Sequence, residues 1–96
     1  MIALEDCIAL CGLSEQEVLA IAEHEHMPEV AAASLAHYLL NRADGPQMIR
    51  DMIIEDVQAA QARCDIAHMQ SLLHVLSQFL RDHPDALLRP QKASAA

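Results

Sequence analysis

Residues 66–80 read Ile66-Ala67-His68-Met69-Gln70-Ser71-Leu72-Leu73-His74-Val75-Leu76-Ser77-Gln78-Phe79-Leu80. Ile66, Met69, Leu72, Leu73, Leu76, Phe79 and Leu80 recur every three or four positions, the spacing of one face of an α-helix. Asp65 stands where an N-cap is expected. His83-Pro84 closes the segment, because the residue before proline disfavours helix.

Working toward the N-terminus, the same period recurs. Residues 46–63 carry Ile49, Met52, Ile53 and Ala60 on one stripe. The run Asp44-Gly45-Pro46 is the clearest loop in the chain. Before it, residues 28–42 hold Ala31, Ala32, Ala33 and Ala36, which favour helix. Val30, Leu35, Tyr38, Leu39 and Leu40 lie nearly all round that cylinder, which predicts a central position. Ser14-Glu15-Gln16-Glu17 is a capping box that opens a helix through Val18, Leu19, Ile21 and Ala22 toward His26. Pro28 either starts the next helix or kinks a continuous one, with a break or kink favoured near Met27. A short first helix is expected from Ile2, Leu4, Ile8 and Leu10, stopped by Gly12. No alternating strand pattern and no internal repeat is present. The expectation is an all-α bundle of about five helices, the second and third either separate or one rod kinked at Pro28. Residues 1–86 form one domain, followed by a C-terminal tail over 87–96.

Composition fits this fold. The apolar fraction is 53% and the charged fraction 21%, a globular balance. With one Phe, one Tyr and no Trp, the core must be aliphatic. The net charge of −8 argues against nucleic acid and anionic membranes, which are held by Lys and Arg. A cationic partner, a metal ion or simple solubility suits it better. Residues 8–26 imitate a helix-turn-helix, but the would-be recognition helix carries Glu15, Glu17, Glu23 and Glu25 and neither Arg nor Lys. Cys7, Cys11 and Cys64 do not form a disulfide framework. The cytoplasm is the expected location. No nucleophile elbow or phosphate loop names a reaction, so enzymatic activity stays open.

The feature that stands above an acidic helical bundle is Glu23-His24-Glu25-His26-Met27-Pro28-Glu29. Glu23-x-x-His26 places an acid and an imidazole on neighbouring faces of a helix, able to share one ion. With the apolar face centred on Val18, Leu19, Ile21 and Ala22, Glu25 and His26 fall within it and Glu23 at its edge. Glu29 would join them if the helix continued. The ordinary reading is a polar helix end, with His24 and His26 favoured by the helix dipole. Asp56 lies in the middle of the apolar stripe over residues 46–63, with Glu55 at its margin. It needs a cation there: Arg42, Arg50, Arg63 or a metal. Asp65-x-x-His68 is a weaker imitation, Asp65 being the expected N-cap. His37 reads as part of a polar stripe and His74 as exposed.

The pattern Leu4-Glu5-Asp6-Cys7, Gly12-Leu13, Ala22-Glu23-His24-Glu25-His26 and Pro28-Glu29 resembles a group of short uncharacterised bacterial helical proteins, which implies a self-contained domain. Glu23-x-x-His26 separately resembles ferritin-like metal carboxylate proteins. Carboxylate and imidazole suit iron, manganese or zinc, and the resemblance implies a dinuclear site that a second subunit of a homodimer would complete. The expected function is therefore a metal-binding helical protein with Glu23, His26, Glu29 and Asp56 as ligands. The alternative is a non-enzymatic interaction module, an acidic bundle offering Met48, Met52 and Met69 to a partner helix.

Overall fold

A computed structural model describes residues 13–87. The described chain is all-helical: α1 (Glu15–Glu25), α2 (Glu29–Leu40), α3 (Gly45–Ala62) and α4 (Ile66–Asp82), followed by a 3₁₀ turn at Pro84–Leu87. The helix expected before Gly12, with Cys7 and Cys11, lies outside the described residues, as does the tail beyond Leu87.

Each boundary has a local cause. Ser14 Oγ accepts from the Glu17 N–H at 3.2 Å, and Glu17 Oε1 accepts from the Ser14 N–H at 2.9 Å. This is the capping box read from the sequence, and it lets the Glu17 side chain lie buried in the first turn. Asp65 caps α4 by accepting from the His68 N–H at 3.3 Å. Two helices stop on left-handed residues that are not glycine, His26 (φ 55) and Cys64 (φ 58). After α1, His26 N–H donates to Glu23 O and Met27 N–H to Ala22 O. After α3, Cys64 N–H donates to Gln61 O and Asp65 N–H to Ala60 O. Both are Schellman stops, satisfying the last carbonyls of the helix at the expense of a strained residue. The α1–α2 connection is thus a full break between two helices, not one kinked rod.

The core is built on α3 and α4. They form the most extensive helix pair, antiparallel across the short turn at residues 63–65. Ile49 and Ile53 of α3 meet Leu72, Val75 and Phe79 of α4 in a single buried cluster. The stripe of α4 is narrower than the sequence suggested, since Ile66 and Leu73 remain exposed. α1 lies against both helices and adds Val18 and Ile21. α2 corrects an expectation. It packs on α1 and α3 through Ala32, Ala33, Ala36 and Leu39, but Val30, His37 and Tyr38 face outward. The helix is flanking, not central, because its alanines already provide a sufficient packing face. Among the described residues no helix is long and apolar enough to cross a membrane.

The 3₁₀ turn is tied to α3 by Arg50 Nη1 donating to Ala86 O at 2.6 Å and Gln47 Nε2 donating to Asp85 O at 3.0 Å. Gly45 opens α3 against the end of α2. A Cβ there would sit 1.4 Å from the Leu39 carbonyl oxygen. Gly45→Ala is expected to lower unfolding free energy by about 3 kcal/mol, the upper range for a steric insertion. Conversely, His26→Gly and Cys64→Gly should each raise it by about 1 kcal/mol by relieving left-handed strain. Urea denaturation of the three variants measures both signs.

Candidate functional site

The last turn of α1 contributes Glu23, His24 and Glu25; the middle of α3, Glu55 and Asp56; the first turn of α4, His68. His24 Nε2 lies 2.7 Å from Glu55 Oε1, and its Nδ1 lies 2.8 Å from Glu25 Oε2. His68 Nε2 lies 2.7 Å from Glu23 Oε2. The two histidines therefore bind α1 to α3 and α4 to α1. Asp56 lies among them, its electrostatic environment shared by His24, Glu23, His68 and Glu55. Its Oδ2 is buried and makes no hydrogen bond. Four carboxylates and two imidazoles thus converge from three helices.

The protonation states follow from the contacts. Both ring nitrogens of His24 face carboxylate oxygens, so satisfying both requires two N–H donors, the imidazolium. Burial pulls its pKa down. The hydrogen bonds to Glu55 and Glu25 and the charge of Asp56 pull it up and prevail, leaving it raised above 6.5. Asp56 is also raised above its usual value, first by burial and then by Glu23 and Glu55, against the lowering effect of His24 and His68. A carboxylate in this setting lacks enough positive charge nearby.

Of the four ligands expected from the sequence, Glu23 and Asp56 stand in this cluster. His26 does not join it through any contact. It is the left-handed residue beyond the last turn of α1, so the helical geometry assumed for Glu23-x-x-His26 ends one residue too early. Its side chain is exposed. Glu29 opens a separate helix, half-buried. Neither side chain has a hydrogen bond or ion pair among the described residues. The arginine compensation expected for Asp56 is absent too. Arg42 is held by Asp44 at 3.1 Å, Arg50 by Asp51 at 2.9 Å, and Arg63 is exposed.

His24, Glu55 and His68 are the residues that sequence reasoning left out of the ligand set. His24 was recoverable. The buried residues of α1 are Glu17, Val18, Ala20 and Ile21, and His24 continues the row of Glu17, Ala20 and Ile21 at the i, i+3, i+4, i+7 spacing. The buried face of α1 lies to one side of Leu19, which is exposed, and not on it as the sequence suggests. His68 sits in the first turn of α4, and its ring reaches Glu23 across 45 residues of chain. Among the described residues no group of three or more His, Cys, Asp or Glu is disposed as a ready coordination shell. The donors are tied to one another instead. No family model, no curated protein and no solved structure matches the chain.

The pH dependence has a definite sign. His24 has a folded pKa above its unfolded value, so its stabilisation is complete below about pH 6.5 and is lost as pH rises through the raised value. Asp56, raised above 3.8, acts in the same direction over a lower window, because its ionisation is harder in the fold than in the unfolded chain. In a chelator-containing buffer, thermal stability should fall between pH 6 and pH 8, and His24→Gln should flatten that slope. Circular dichroism melts across the pH series measure it.

Proposed function

We propose that this protein binds a divalent metal ion at the α1–α3–α4 junction, through Asp56 with donors drawn from Glu23, Glu55, His24 and His68. The observation that carries this reading is Asp56 Oδ2, buried without a hydrogen bond among two imidazoles and three further carboxylates. A buried carboxylate oxygen without a partner is costly, and a divalent cation is the compensation that this donor set fits. Imidazole with carboxylate suits iron, manganese or zinc.

Binding has a chemical cost that defines its signature. His24 and His68 are engaged with carboxylates in the metal-free form. His24, held at both ring nitrogens, must lose a proton and turn that nitrogen toward the ion, so affinity rises with pH as protons and metal compete. All five donors come from one chain, so this reading does not call on a second copy; Glu29 and His26 have no part in it.

Metal analysis of protein purified without a histidine tag, with melts in added Fe²⁺, Mn²⁺ and Zn²⁺, tests the proposal. At an ion concentration about 100-fold above Kd, stabilisation of roughly 2.7 kcal/mol is expected, larger at pH 8 than at pH 6. Asp56→Asn should act in opposite directions on the two forms. It stabilises the metal-free protein by about 1 kcal/mol and abolishes the stabilisation by metal. A metal-free protein whose melting ignores all three ions at both pH values removes the reading.

A second reading, an acidic interaction module without enzymatic activity, draws on Val30 and Tyr38, which α2 leaves exposed. A stoichiometric partner that is lost on Tyr38→Ser and kept on Asp56→Asn would favour it over metal binding.

A further inference from the structure

A cleft runs between α1 and α4 beside the ionisable cluster. Its floor is Ala20, Leu72 and Val75, and Leu19 forms one wall. Leu19 is 41% exposed, although it is one of the large apolar residues of α1. Glu23 and His68 stand at one end, and Gln16 and Ser71 line the rim. The lining from Gln16 to Glu23 covers seven residues of helical rise, about 10 Å. The surface is therefore an apolar trough with an acidic end.

The acidic end is able to take a ligand. Glu23 is 46% exposed at its side chain, and its Oε2 accepts from His68. Its Oε1 has no hydrogen bond or ion pair among the described residues. The net charge of −8 places the trough in a negative field that repels anions and gathers cations. An anionic amphiphile of the same shape would meet Glu23 at close range. A neutral one would gain from the trough alone.

We propose that the α1–α4 cleft binds a short-chain aliphatic amine, the hydrocarbon lying on Leu19, Leu72 and Val75 and the ammonium on Glu23. The match is one of length, polarity and sign together. The alkyl chain covers the exposed face of Leu19 and the edges of the otherwise buried Leu72 and Val75. The ammonium adds a charge-assisted hydrogen bond to a carboxylate that has an oxygen to spare. This inference does not rest on the metal reading, although an ion and an amine would compete for Glu23.

The test uses the whole chain, ¹⁵N-labelled, in buffer containing EDTA so that no divalent ion competes. n-Hexylammonium, n-hexanol and hexanoate are titrated in parallel. The amine is expected to shift the amides of Leu19, Ala20, Glu23, Leu72 and Val75 saturably, with hexanol about tenfold weaker and hexanoate without effect. Glu23→Gln should weaken the amine about tenfold, the loss of one charge-assisted hydrogen bond, and leave hexanol unchanged. The same spectra report whether that variant is folded. Equal binding of amine and alcohol, binding of hexanoate, or no saturable shift at the cleft overturns the proposal.

Discussion

The antiparallel packing of α3 on α4 is the constraint from which the rest of the molecule takes its position. The two helices are closed by the left-handed turn at Cys64 and joined through Ile49, Ile53, Leu72 and Phe79. With the only phenylalanine of the chain fully buried in it, this pair supplies the broadest apolar surface. α1 can then bury Val18 and Ile21 on both helices at once. The direction of α1 across the pair brings its last turn over the middle of α3 and the start of α4. The ionisable cluster is a consequence of that crossing, since Glu23 and His24, adjacent in sequence, reach different helices.

That cluster is an electrostatic compromise. A buried carboxylate is tolerated when opposite charge is close and its oxygens are hydrogen-bonded. Asp56 has the first condition only in part, through imidazoles whose charge depends on pH, and the second not at all at Oδ2. The histidines are better served. His24 is held from both sides, and His68 from one. Protons thus do in the metal-free form what a divalent ion does in the proposed one. The same contacts that raise the His24 pKa are the ones an ion must break.

Much of the fold was legible because its signals are local. The capping box at Ser14, the N-cap at Asp65, the apolar stripes of α3 and α4 and the stop at His83-Pro84 each act within a turn of the residues that carry them. Asp56 was legible for the same reason, as a charge on an apolar stripe, and Glu23 through its place beside the helix face. The outcome at His26 depended on a left-handed stop in a residue other than glycine, which composition does not announce. The partners of Asp56 depended on how α1 crosses α3 and α4, a tertiary fact. His68 reaches Glu23 only because the helices are stacked that way. The flanking position of α2 was missed because an alanine-rich helix looks apolar on every side while needing only one to pack.

The arginines have a consequence of their own. Arg42 is spent on Asp44, and Arg50 clasps Asp51 while holding the Ala86 carbonyl. Arg42 and Arg50, the arginines that order the described fold, are therefore committed to Asp44, to Asp51 and to the Ala86 carbonyl, and not to the acidic junction. Among the described residues, counter-charge for that junction is left to its own imidazoles and to the surrounding solution. The ionic atmosphere becomes, in effect, a structural component, and the molecule's internal repulsion is set by the composition of its medium as well as by its own residues.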